Sequence, residues 1–232
     1  MSSMKTFKRT SILFASVLIL SACGGGAKKK KEGEGNKEGD SKKDTTTEKV
    51  TTYNYKPKTT KVAITTYKHE AKNGVGIKFD SLTVNGVGSE AKSISKLLEG
   101  LSFKVPISGL NSGNAKRDKK IRKHFFGTMS STKVIKGSVK KMSLNGSSGN
   151  AVLKISMNEK TQEVKAKLKR KEGKLTMSAE IDVMNWEGKK ALDALQKACK
   201  EKHTGKNGKT KLWSTVALNI STKLDVKETL AS

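Results

Sequence analysis

Residues 163–183 read EVKAKLKRKEGKLTMSAEIDV and contain two runs in which apolar and polar side chains alternate. In the first run Val164, Ala166 and Leu168 alternate with lysines, and the second runs from Leu175 to Val183. Strict alternation places every second side chain on the same face, as in a β-strand with one buried and one solvated face. Residues 171–174 separate the two runs and contain Gly173, so they predict the turn of an antiparallel hairpin.

The same period of two recurs on both sides of this hairpin. The other segments with alternating apolar residues are 62–64, 75–79, 82–84, 101–107, 133–144, 151–157 and 216–224. Short turns rich in Gly, Asn and Ser separate them, so we predict about eight to nine strands in one domain. A closed barrel or two packed sheets would each bury one face per strand, and periodicity does not separate these two folds.

Two segments break the alternation. Residues 115–126 (AKRDKKIRKHFF) have no period of two and are predicted to form a short helix or an ordered loop. Residues 188–203 have helical spacing, with Leu192, Leu195 and Cys199 on one stripe.

The N-terminus has the features of an export signal. Three basic residues precede the apolar segment 11–20, which is too short to cross a bilayer. The following residues 20–23 (LSAC) resemble the lipobox of bacterial lipoproteins, in which the cysteine is lipidated and becomes the new N-terminus. We therefore expect a lipoprotein signal peptide over 1–22 and a lipid anchor on Cys23.

Residues 24–52 lack the apolar side chains that a core requires. Val50 is their one aliphatic side chain larger than alanine, and Lys, Glu and Gly dominate the rest. We predict that 23–52 form a lipidated, disordered tether, with an r.m.s. span of about 30 Å. The folded domain is then predicted over 53–232.

The net charge of +27 lies mostly in that domain, which holds 37 of the 48 basic residues and 15 of the 21 acidic residues. Such a surface attracts polyanions. Export argues against nucleic acid and favours anionic lipid headgroups. A solvated lysine-rich surface with no specific partner is the alternative.

Residue patterns for catalysis or metal binding are scarce. The chain has three His and shows no Ser-His-acid set, no paired carboxylates, no P-loop and no Cys-x-x-Cys. Cys199 and His203 lie four residues apart without a third ligand nearby, so we interpret them as a packed thiol beside a solvent-facing imidazole. We expect no enzyme activity, no cofactor and no metal site. Cys199 would be a lone thiol, because Cys23 is assigned to the lipid.

Residues 110–129 (LNSGNAKRDKKIRKHFFGTM) resemble the signature of the YceI-like polyisoprenoid-binding family, which has Ser/Thr-Gly-Asn, then Arg-Asp, a basic stretch and paired Phe. Typical members have His-Leu-Arg-Ser and an acidic residue around the Phe pair, where this chain has KIRKH and Gly127. Further segments resemble the family in the same order: 104–108 (KVPIS), 155–164 (ISMNEKTQEV), 181–186 (IDVMNW) and 212–216 (LWSTV).

The resemblance implies an all-β fold, an extended eight-stranded antiparallel lipocalin-like β-barrel with one or two short helices. It also implies an apolar cavity for a polyisoprenoid or another long-chain lipid. A filled core without a cavity is the alternative. If the barrel is hollow, the inward faces of the strands supply the lining, and we expect it to include Phe103, Val105, Leu153, Ile155, Met157, Val164, Leu168, Leu175, Met177, Ile181, Val216, Leu218 and Ile220.

The basic segment at 117–126 is the candidate for the cavity mouth and the lipid headgroup. Its residues are Arg117, Asp118, Arg122, His124, Phe125 and Phe126. Arginine offers forked, charge-assisted donors to a phosphate, and Asp118 is expected to orient Arg117 or Arg122. The alternative is a structural Arg–Asp pair that pins the segment to the barrel.

These observations together predict a membrane-anchored lipoprotein of the cell envelope that carries or sequesters a long-chain lipid. We expect it at the outer membrane, facing the periplasm, and leave a homodimer open. The alternative is a filled-barrel module that docks through its basic surface on anionic lipid, glycan or a partner protein.

Overall fold

The computed structural model describes residues 48–86, 88 and 90–231. The predictions for the signal peptide, for Cys23 and for tether residues 24–47 lie outside this part of the chain. The strands are β1 (Lys49–Tyr55), β2 (Lys61–Lys68), β3 (Asn73–Phe79), β4 (Thr83–Asn85), β5 (Ser102–Pro106), β6 (Leu110–Asn111), β7 (Val134–Asn145), β8 (Ser148–Met157), β9 (Lys160–Lys171), β10 (Lys174–Asp182) and β11 (Leu212–Leu230). The helices are α1 (Ile94–Leu98), α2 (Ala115–His124), α3 (Lys189–Ala198) and α4 (Lys200–His203).

The strands form one antiparallel sheet in the order β4-β5-β7-β8-β9-β10-β11-β2-β3-β6, and β1 pairs with β11. At its centre lies the hairpin of β9 and β10, in which Lys171 pairs with Lys174. Glu172 and Gly173 between them have φ values of 49° and 69°. Two left-handed residues suit a tight turn between twisted strands, so the predicted hairpin is confirmed.

Two short ladders bring the edges of this sheet together. Phe79 of β3 pairs with Leu110 of β6, and Val84 of β4 pairs with Phe103 of β5. Strand β4 follows β3 after a bend, and β6 follows β5 after a 3-10 turn at Ile107–Gly109. The two ladders are therefore one interrupted antiparallel pairing that closes the barrel. The predicted lipocalin-like barrel is confirmed. The described residues form eleven strands because two of the eight ring strands are interrupted and β1 is added.

Strand β1 begins at Lys49, inside the segment that composition assigns to the tether. Its residues pair one for one with the end of β11, from Tyr55 with Leu224 to Lys49 with Leu230. This part of β11 extends past β10, whose pairing with it ends at Lys223. Residues 49–52 are ordered by the backbone hydrogen bonds of this ladder rather than by apolar burial, which is why composition did not reveal them.

The alternating apolar residues point into the barrel, as expected. Leu168 and Leu175 are each 1% exposed, whereas Lys167 and Lys169 are exposed. Trp186 is also fully buried and donates its indole N–H to the carbonyl oxygen of Ile155 at 3.0 Å. Removing such side chains from water stabilises the fold by about 25 cal/mol per Å² of apolar area.

Helices α2 and α3 pack on each other beside the barrel. The basic segment, expected as a helix or a loop, forms α2, and Asn114 caps it by accepting a hydrogen bond from the Arg117 N–H at 2.9 Å. The helical segment 188–203 breaks at Cys199 and so forms both α3 and α4. The expectation of one or two helices was too low, because α1 and α4 are too short to show a helical period. None of the described helices combines the length and apolar character of a membrane-spanning helix.

We predict that Gly137→Ala lowers the free energy of unfolding by about 1–3 kcal/mol. Gly137 on β7 lies opposite Phe103, and a Cβ at this position would overlap the Phe103 ring and lie 2.5 Å from the carbonyl oxygen of Lys154. Urea unfolding followed by circular dichroism measures the change. Gly76→Ala in β3 is the control, because a Cβ there meets nothing within 4 Å. Equal losses in the two variants would contradict the close packing of Phe103 on Gly137.

Candidate ligand cavity

The barrel contains a cavity of about 180 Å³. Every described strand except β9 lines it, together with α1, α2 and α3, and none of the described lining side chains is charged. The polar atoms on its wall belong to Tyr55, Trp213 and three threonines, Thr60, Thr66 and Thr222. Since an unpaired ion is costly to bury, the wall suits an apolar group. Of the two alternatives for the interior, the structure shows the hollow one.

The cavity wall extends along several strands. On β11 it includes residues from Leu212 to Thr222, and on β2 it includes residues from Val62 to Thr66. The apolar side chains that dominate this wall suit a hydrocarbon group.

Most of the predicted lining residues lie on the cavity wall: Phe103, Val105, Leu153, Ile155, Met157, Met177, Ile181, Val216, Leu218 and Ile220. The assignment was wrong for Val164, Leu168 and Leu175, which are buried in the core and do not reach the cavity. Strand β9 contributes no residue to the wall, because the barrel is filled by side chains on that side. Alternation identifies the inward face of a strand but not how far the neighbouring side chains fill the space in front of it.

Several lining residues were not predicted. Leu192 and Leu195 of α3 form the helical stripe seen in the sequence, and both lie on the cavity wall. Trp213 also lines the cavity, and Tyr55 does so from the end of β1. The helical stripe was therefore a sequence signal that could have identified α3 as part of the cavity wall. Nothing in the local sequence shows that Tyr55 or Trp213 faces the interior.

One region of the wall carries a chain of hydroxyl groups. The Tyr55 hydroxyl lies 2.7 Å from the Thr60 hydroxyl, which donates to that of Thr222 at 3.0 Å. Burial raises the pKa of Tyr55, against the smaller opposite effect of the hydrogen bond to Thr60. These groups are therefore uncharged near neutral pH and offer hydrogen bonds without a charge.

The predicted mouth residues divide into two sets. Phe125 and Phe126 line the cavity and meet edge to face, with ring centroids 5.0 Å apart and an interplanar angle of 88°. Arg117, Asp118, Arg122 and His124 are not on the cavity wall. His124 is the half-buried last residue of α2.

The charged residues of α2 hold the loop that precedes the helix. Arg117 donates from Nε to the Ser112 hydroxyl at 2.8 Å and from Nη2 to the Ser112 carbonyl oxygen at 2.6 Å. Arg122 donates to the Leu110 carbonyl oxygen at 2.9 Å. Asp118 is buried and accepts from the backbone N–H of Ser112 at 3.0 Å and from its hydroxyl. Asp118 forms no direct ion pair within the described chain, so the Arg–Asp pair is not present; Asp118 is connected with Arg117 through the Ser112 hydroxyl, which donates to Asp118 and accepts from Arg117.

His203 is buried rather than solvent-facing. It is 9% exposed, and its Nδ1 has no hydrogen-bond partner in the described part of the chain. Burial lowers the pKa of His203, and the positive charges of Lys68, His69 and Lys120 lower it further. Cys199 lies at the break between α3 and α4, and the described residues contain no group of three His, Cys, Asp or Glu that could hold a metal ion.

We predict that acid destabilises the barrel through His203. Its pKa is lowered in the folded state, whereas the unfolded chain titrates near the ordinary histidine value of about 6.5. The unfolded state therefore binds more protons as the pH falls below about 6.5, and the folded state loses stability. His203→Leu should weaken this dependence, which urea unfolding at pH 7.5 and 5.5 would show. An identical response of both proteins to acid would contradict the assignment.

Two solved structures share the fold of this chain. A polyisoprenoid-binding domain from Saccharophagus degradans, implicated in plant cell wall breakdown, has a TM-score of 0.52 and 10% identity, covering 78% of this chain and 100% of that one. BcnA from Burkholderia cenocepacia has a TM-score of 0.50 and 10% identity, with coverage of 75% and 99%. No match was found among curated protein sequences. The sequence profile of the YceI-like domain matches residues 53–224, most of the chain, and the chain therefore belongs to the YceI-like domain family.

Proposed function

We propose that this chain binds a polyisoprenoid or a similar long-chain amphiphile in its barrel and carries or sequesters it in the cell envelope, without catalysing a reaction. The observation that carries the proposal is the cavity, whose described lining side chains are all uncharged and mostly apolar. It lies in a fold shared with a domain that binds polyisoprenoids in Saccharophagus degradans. A filled-barrel interaction module has less support, because the interior is not filled.

The affinity would come from removing apolar surface of the tail from water, at about 25 cal/mol per Å² before the costs of association are subtracted. The free volume of about 180 Å³ is below the roughly 300–1,000 Å³ of pockets that enclose drug-sized ligands. A long tail therefore needs the wall to open. Flexible Met157 and Met177 and half-buried Phe125, Leu192 and Leu195 are the residues that would move.

We also propose that the protein is held to a membrane through a lipid on Cys23, at the outer membrane and facing the periplasm. The support is the export signal followed by LSAC at 20–23. The polar segment after Cys23 would separate the anchor from the barrel, whose first described strand begins at Lys49.

The lipid ligand should copurify with the protein. We expect about one long-chain lipid per chain in an organic extract of the full chain carrying Cys23→Ser, identified by mass spectrometry; the substitution removes the anchor's own acyl chains from the extract. Ile64→Trp fills the cavity and should reduce the bound lipid several-fold. Ala63→Trp is the control, because it places the same indole side chain on the outer face of the same strand. The absence of any lipid, together with unchanged Trp fluorescence on adding a prenyl alcohol, would contradict the proposal.

The anchor is tested separately. Cells grown with radioactive fatty acid should label the wild-type protein, and Cys23→Ser should abolish the label and release the protein from the membrane fraction. Cys199→Ser is the control for the other cysteine and should keep both properties. Label that persists in Cys23→Ser would contradict the lipid assignment.

A further inference from the structure

Trp213 connects the cavity with a group of basic side chains on the outside of the barrel. It lines the cavity, and its indole N–H donates to the carbonyl oxygen of His69 at 2.7 Å. The Nζ atom of Lys72 lies 4.4 Å from the Trp213 ring centroid, and that of Lys211 lies 4.9 Å from it. Both lysine side chains are exposed. Two ammonium groups thus lie against a ring that faces the apolar interior.

The positive charge at this place has no counter-charge in the described chain. Neither Lys72 nor Lys211 forms an ion pair with a described acidic residue. Glu70, the acidic residue of the same turn, is bound instead to Lys209 at 3.5 Å and to the Asn207 amide at 2.7 Å. Each ammonium group is attracted to the face of the Trp213 ring, whereas the two positive charges repel each other, so an anion bound beside both would lower this repulsion.

The turn that carries Lys72 is held by hydrogen bonds to residues 211 and 213. His69 and Lys72 have φ values of 61° and 49°, which suit the tight turn between β2 and β3. The backbone N–H of His69 donates to the Lys211 carbonyl oxygen at 3.0 Å, and its own carbonyl oxygen accepts from Trp213. These contacts fix Lys72, Lys211 and Trp213 relative to one another.

We propose that Lys72, Lys211 and Trp213 form an anion site that holds the phosphate or carboxylate headgroup of the amphiphile in the cavity. The inference rests on the proposed function, because the tail must occupy the barrel. The ammonium groups would bind the anion outside while the indole covers the first carbons of the tail. This site replaces Arg117 and Arg122 as the expected headgroup contacts, since their guanidinium groups hold the loop before α2.

The site would also set the direction of the ligand. On β11 the anion site lies beside Leu212 at one end of the cavity wall, and the uncharged hydroxyl chain ends at Thr222 at the other. The hydroxyl end offers uncharged hydrogen-bonding groups on the wall itself, whereas the indole at the other end lies directly against two ammonium groups. The headgroup therefore stays at Trp213, and the tail points toward Tyr55.

The test compares two ligands with the same tail, geranylgeranyl phosphate and geranylgeraniol. The protein is the full chain carrying Cys23→Ser, with the double substitution Lys72→Met/Lys211→Met, which removes both charges and keeps most of each apolar stem. The control is Lys165→Met/Lys167→Met on the exposed face of β9, which changes the net charge equally and leaves the site intact. Tryptophan fluorescence titration and calorimetry measure the dissociation constants.

We expect the Lys72/Lys211 double variant to bind geranylgeranyl phosphate at least about tenfold more weakly than the protein with the unsubstituted site. Its affinity for geranylgeraniol should be unchanged. The control variant should bind both ligands with unchanged affinity. Unchanged binding of the phosphate, or an equal loss for both ligands, would overturn the anion site while leaving the proposed function intact. If the protein with the unsubstituted site binds neither ligand, the proposed function fails and the anion site fails with it. Inorganic phosphate should bind far more weakly than the prenyl phosphate; equal binding would assign the site to a free anion and overturn the headgroup assignment.

Discussion

The pairing of β3 and β4 with β6 and β5 holds the two edges of the sheet together, and the interior exists only because these edges meet. Each alternating strand has one apolar face that must leave water. An open sheet would need a second layer to cover that face, whereas a closed ring covers it with the strands themselves. The bend after Phe79 and the 3-10 turn at Ile107–Gly109 interrupt the pairing without ending it.

Barrel closure also separates the two kinds of surface in this protein. The lysines of the strands point outward and stay in water, and the part of the cavity wall that the structure describes has no charged side chain. The interior is thus apolar along most of its length, with uncharged hydroxyl groups at Tyr55, Thr60 and Thr222. At Trp213, positively charged groups lie next to this interior, because two lysine ammonium groups contact the ring of this lining residue. A ligand with one apolar and one anionic part matches that distribution.

Regular alternation made the barrel strands predictable, because it records which side of each strand is buried. It could not show β1, whose residues are ordered by backbone pairing with a strand more than 160 positions away. It also could not separate Leu168, which is packed in the core, from Leu153 on the cavity wall, since both alternate in the same way. The basic signature around Arg117 was recognised in the sequence, but its role in fixing the Ser112 loop depends on hydrogen bonds that only the folded chain reveals.

The ladder between β1 and the end of β11 has a mechanical consequence. The chain enters this ladder at Lys49, far from the barrel, and reaches the barrel at Tyr55, where Leu224 is the partner. Tension on the preceding chain, directed away from the barrel, would act along β1 and perpendicular to its interstrand hydrogen bonds. All rungs of the ladder would then share the load at once instead of opening one after another. The ladder between β1 and β11 therefore bears this tension as a shear force. The force acts on all of its hydrogen bonds before it acts on the cavity wall.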